Sequence, residues 1–89
     1  MELLNSKIVI GAYDTAKLKQ AKIIIAKCMT QFGWGLSVAL FPNVKIGAYA
    51  DVNGTAYPQT CLWDKNAGTI TINSVTFTFT IDTIVYFMY

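Results

Sequence analysis

The clearest pattern in the chain lies in its carboxy-terminal third. Thr69-Ile70-Thr71-Ile72 alternates apolar with polar, Asn73-Ser74 interrupts, and Val75-Thr76-Phe77-Thr78-Phe79-Thr80-Ile81 alternates again with its apolar set on odd numbers. Strict period two in β-branched and aromatic residues predicts strands with one wet face. Asn73-Ser74 reads as a tight hairpin turn between them. The final segment, Ile84-Val85-Tyr86-Phe87-Met88-Tyr89, is apolar on both parities, which predicts a strand covered on both faces. Asp82-Thr83 before it reads either as a turn or as a bulge in one long strand, and parity permits both.

In an unbroken strand, Val85, Phe87 and Tyr89 continue the core-facing phase of Val75–Ile81. Ile84, Tyr86 and Met88 then point to the side of Thr76, Thr78 and Thr80, towards solvent. Large apolar groups on that side need a cover, and 89 residues leave little spare chain to supply it. Ile84, Tyr86, Met88 and Tyr89 are therefore the candidate intermolecular surface.

Earlier strands are expected at Lys7–Tyr13, Trp34–Phe41, Val44–Ala50 and Thr60–Trp63, with turn residues at Pro42-Asn43, Asn53-Gly54 and Asp64–Gly68. Between the first two lies a different text. Asp14 suits a helix cap, so a loop or short helix is expected near Thr15–Gln20. A strand follows near Lys22–Cys28, because Ile23-Ile24-Ile25 prefers extended backbone. The expected fold is one all-β, mainly antiparallel domain over residues 1–89, a small β-sandwich or barrel with at most one short helix near residues 15–20.

Composition narrows the function more than the fold. The chain is 54% hydrophobic and 13% charged, against about 25% charged in an ordinary domain. That excludes intrinsic disorder and argues against a solitary, highly soluble monomer. There is no histidine, and all seven basic residues are lysines. Lys17, Lys19, Lys22 and Lys27, with Lys7 nearby, read as a basic strip for phosphate or a membrane surface, or as a solvated edge. The absence of arginine favours the edge, so nucleic acid is not an expected partner. The apolar window Ile23–Phe41 is broken by Lys27, Gln31, Gly33 and Gly35, too often for a spanning helix. Met1–Ser6 has no basic region of the kind that opens a signal peptide, so a reducing cytoplasm is the expected compartment of synthesis, and the sequon Asn53-Gly54-Thr55 is read as a turn.

Candidate chemistry is sparse. Cys28 and Cys61 are too few for a zinc site without histidine and read as small buried hydrophobes; sequence leaves open whether they pair. Glu2, Asp14, Asp51, Asp64 and Asp82 lie far apart, and turn chemistry accounts for most of them. Asp51-Val52-Asn53-Gly54 opens like a calcium loop but lacks the closing glutamate, so a type I′ turn is the better account. No catalytic group, metal or cofactor is expected. Trp34 and Trp63 read as core filling, with a carbohydrate or protein contact surface as the alternative.

From Gly68-Thr69-Ile70-Thr71-Ile72 through Val75–Ile81 to Asp82-Thr83-Ile84-Val85-Tyr86-Phe87-Met88-Tyr89, the tail resembles the last strands of small β-sandwich proteins in bacteriophage virions, of capsid-decorating, fibre or tail type. It departs from them in lacking a terminal glycine. The resemblance carries over no functional residue and implies a class: a multi-copy virion component, assembled in the host cytoplasm, whose partners are copies of itself or a major capsid or tail protein. Neither a small-molecule substrate nor a membrane is an expected partner of this chain. Two other functions compete with this expectation, a small inhibitor of a host defence protein that pairs through a strand edge, and a carbohydrate-binding module.

Overall fold

The computed structural model describes residues 7–88. Their order is β1 (Lys7–Gly11), α1 (Thr15–Gln20), β2 (Ile23–Thr30), β3 (Gly35–Leu40), β4 (Lys45–Val52), β5 (Thr55–Asp64), β6 (Thr69–Ser74) and β7 (Phe79–Met88). The seven strands among the described residues form two antiparallel sheets, a four-stranded one in the order β1-β7-β2-β3 and a three-stranded one in the order β4-β5-β6. This is the all-β sandwich that the alternation predicts.

Local chemistry explains most of the corners. Asp14 caps α1, its Oδ1 accepting from the backbone N–H of Ala16 at 2.9 Å and of Lys17 at 3.2 Å. The β4–β5 hairpin turns on Asn53 (φ 52°) and Gly54 (φ 81°), the two left-handed residues of a type I′ turn. At the β5–β6 turn Gly68 has φ 70°, and a Cβ there would lie 2.6 Å from Thr15 Cγ2. Glycine thus lets the turn close against the start of the helix.

The core joins both sheets and the helix. Ile24, Ala26, Cys28, Val38, Leu40, Ile84 and Tyr86 from the large sheet meet Cys61 and Trp63 from the small one, and Leu18 of the helix and Ala21 after it complete the cluster. Trp63 Nε1 donates to the Leu18 carbonyl at 3.1 Å. The Tyr86 hydroxyl donates to the Ala12 carbonyl at 2.6 Å, and the Lys17 ammonium stands 5.7 Å from the Tyr86 ring centroid, within cation–π range.

Two expectations are corrected here. Asn73-Ser74 is not a hairpin turn: both residues belong to β6, where Thr60 pairs with Asn73 and Gln59 with Ser74. The Ser74 hydroxyl accepts from the backbone N–H of Thr76 and Phe77, bending the chain away from the small sheet towards the large one. Residues 75–78 are that crossing, not a strand, and Val75 is fully exposed on it. The alternation of Val75–Phe77 thus marks a connection in which only Phe77 is buried.

The second correction concerns β7. It is one long strand, unbroken by a turn, but its register against β2 slips: Lys27 pairs with Thr83 and Cys28 with Ile81. Asp82 is the extra residue of a β-bulge. Phe79 and Ile81 pack on the core before it; Ile84 and Tyr86 are fully buried after it. The phase has reversed, and the outward set beyond the bulge is Thr83, Val85 and Phe87.

Candidate functional site

The residues expected to form an intermolecular surface are thereby redistributed. Ile84 and Tyr86 lie inside their own chain's core, Met88 packs against that core half-buried, and Tyr89 lies outside the described residues. The expectation that Ile84, Tyr86 and Met88 face solvent is overturned by the bulge.

What faces outward is a different apolar set, assembled from three strands of the large sheet. The register places Ile8 beside Phe87 and Phe87 beside Ile23; one step along, Ile10 lies beside Val85, Val85 beside Ile25 and Ile25 beside Ala39. These positions alternate with the core-facing Val9, Ile24 and Tyr86, so both rows lie on the outer face. Ile8 is 58% exposed and Ile10 68% exposed. A sheet face with two cross-strand rows of large aliphatic and aromatic groups presents on the order of a few hundred Å² of contiguous apolar surface, the range at which such a patch marks an interaction site.

The next row along is polar. Thr83 lies beside Lys27 and Lys27 beside Ser37, with the bulged Asp82 exposed next to them. The patch therefore ends at a border carrying one cation on β2 and one anion on β7. The sequence held a signal for it: Ile8-Val9-Ile10 and Ile23-Ile24-Ile25 are apolar on both parities, as Ile84–Tyr89 is.

The aromatics divide. Trp63 is wholly buried, as expected of core, but Trp34 is 43% exposed, which corrects its expected core role. Thr30 Oγ1 accepts from the backbone N–H of Phe32 and Trp34 and so fixes the β2–β3 turn that carries both. The Trp34 ring centroid lies 5.2 Å from that of Phe32 and 5.5 Å from that of Phe77. This ring borders a groove of about 510 Å³ between the open edges of β3 and β4.

The two cysteines are free and buried. Burial, and then the neighbouring Cys61, push the Cys28 thiol from 9.0 up to about 11; burial also raises Cys61. Burial thus disfavours the thiolate at both, which lowers their nucleophilicity. Among the described residues no three His, Cys, Asp or Glu side chains stand together to hold a metal, and no helix is long and apolar enough to cross a membrane. No family model matches the chain, and no curated protein or solved structure matches it.

Proposed function

We propose that this chain is a non-enzymatic assembly subunit, a multi-copy component of a phage virion of minor capsid, decoration, fibre or tail type, acting in the particle after assembly in the host cytoplasm. It associates with copies of itself through the outer face of the four-stranded sheet. The observation that carries the reading is the pair of apolar rows, Ile8–Phe87–Ile23 and Ile10–Val85–Ile25, on a face that the other described residues leave open.

The apolar rows and the charges at their border suit this face to a second copy. Apolar sheet faces stack about 10 Å apart with strands nearly aligned. A two-fold axis parallel to the strands, between β7 and β2, lays β2 of each copy over β7 of the other. Each row then meets its own equivalent, Ile25 against Val85 and Ile23 against Phe87. Lys27 of each copy meets Asp82 of the other, an isologous arrangement. The virion setting rests on the tail's resemblance to small virion β-sandwiches and on the low charge of the chain.

Sedimentation of wild-type protein and of Ile10→Lys and Ile25→Lys variants tests the association. Both sites face outward, so the variants are expected to keep the fold and to sediment as monomers while the wild type assembles. Lys27→Asp and Asp82→Lys singly weaken assembly, and the double exchange restores it. A wild type that stays monomeric at high concentration overturns the reading.

A further inference from the structure

We propose that the groove between the open edges of β3 and β4 is a binding site for a neutral glycan chain. Leu36 and Val52, half-buried between the sheets, form its floor, while Trp34, Tyr49, Asp51 and Asn53 stand at its rim. Tyr49 is 69% exposed on the outer side of β4, and Asn53 begins the left-handed β4–β5 turn. At about 510 Å³ the groove falls within the usual range of small-ligand sites.

The lining selects the ligand by chemistry. A pyranose has apolar C–H faces and a ring of hydroxyls. Its C–H faces suit the electron-rich faces of Trp and Tyr; its hydroxyls donate to a carboxylate in charge-assisted bonds and exchange donor and acceptor roles with a carboxamide. Asp51 is the only charged group lining the groove among the described residues, so an anionic ligand meets repulsion and no cation to pair with. A quaternary ammonium needs rings converging within about 6 Å of one cation. Trp34 instead packs edge-on with Phe77 and tilted against Phe32, and no ring contact joins it to Tyr49 among the described residues. Its two neighbours hold the Trp34 ring in place before any ligand arrives, which lowers the ordering cost of binding. Rings at separate points of the rim, with no contact between them, suit a chain of several sugars better than one.

Titration of the intact protein with cellotetraose, maltotetraose and N-acetylchitotetraose, read by tryptophan fluorescence, tests this site, because Trp63 is buried and Trp34 is the exposed reporter. Saturable binding of at least one is expected, with the free monosaccharides weaker. Trp34→Ala, Tyr49→Ala and Asp51→Ala should each lower affinity about tenfold or more. Tyr49 and Asp51 are exposed, so their variants keep the fold where Trp34→Ala loses its packing. The proposal is overturned by no saturation with any of the three tetrasaccharides, by binding that survives both Tyr49→Ala and Asp51→Ala, by monosaccharides binding as tightly as tetrasaccharides, or by tetramethylammonium binding more tightly than the sugars.

Discussion

Lys27 of β2 pairs with Thr83 of β7, one residue out of step with the pairing of Cys28 and Ile81 that follows it. This slip sets which side of the terminal strand is core. Because side chains alternate faces, a shift of one residue exchanges the two sides completely. With Asp82 in place, Ile84 and Tyr86 go inward and Val85 and Phe87 join Ile8, Ile10, Ile23 and Ile25 outside. Deleting Asp82 forces the unbulged register, which turns Ile84 and Tyr86 out of the core or drags Phe79 and Ile81 off it. The loss of two large buried side chains costs several kcal/mol, on the order of 4 or more, close to the whole stability of a domain this small. Far-ultraviolet circular dichroism and a thermal melt of the deletion variant are expected to show an unfolded chain. A cooperative melt near that of wild type would show that the bulge does not set the phase.

The same slip explains why the terminal strand was only half legible in the sequence. Double-sided apolarity at Ile84–Tyr89 announced a strand with something to cover, but a bulge leaves parity open, and parity chose the face. The features that were readable act within a few residues: Asp14 as a cap, Asn53-Gly54 as a turn, Asp64–Gly68 as the next. Those that were not depend on partners far along the chain. Ser74 resembles a turn residue until β5 is seen beside it, and Thr55–Gln59 hides its strand behind Pro58 until Tyr49 is seen opposite. Trp34 resembles core filling because nothing local shows that β3 is a sheet edge. The apolar outer face needed the strand order β1-β7-β2, which brings Ile8 and Ile25 onto one surface from separate parts of the chain.

Trp63 ties the small sheet to the helix through its bond to the Leu18 carbonyl. Trp63→Phe keeps an aromatic ring but removes the only donor on the indole, leaving a buried carbonyl unpaired and a small void. Together these cost about 2 kcal/mol or more. Chemical denaturation should show a lower midpoint with an unchanged slope. An unchanged midpoint would mean that Leu18 finds another donor.

Alkaline pH is expected to destabilise the fold. Cys28 holds its proton up to about pH 11 in the folded chain but releases it near its ordinary 9.0 when unfolded. Burial raises Cys61 and Tyr86 in the same direction. Over that interval the unfolded chain binds fewer protons than the folded one, so stability is full below pH 9 and falls as pH rises towards 11. For Cys28 alone, two pH units are worth roughly 3 kcal/mol. Melts at a series of pH values should show this decline, and Cys28→Ala should flatten it. A stability that rises across the interval would contradict the burial of these groups. In the folded protein at neutral pH, both thiols should resist alkylation until denaturant is added.

Gln59 supplies the last prediction. It lies on β5 two residues before Cys61, on the core-facing side of the strand, and only 2% of it is exposed. Neither its amide nitrogen nor its amide oxygen has a partner among the described residues. An unpaired buried amide costs about 1–3 kcal/mol, because folding strips its water and returns nothing. Methionine has nearly the same length and flexibility, fills the same space and adapts to irregular gaps. Gln59→Met should therefore raise stability by about 1–2 kcal/mol, a gain visible as a higher denaturation midpoint. The control is Gln59→Ala, which also removes the amide but leaves a cavity and should gain less or lose stability. If Gln59→Met is less stable than wild type, the amide is satisfied in solution and its position next to the core is a bonded one. If it is more stable, the polar group is retained for something other than folding.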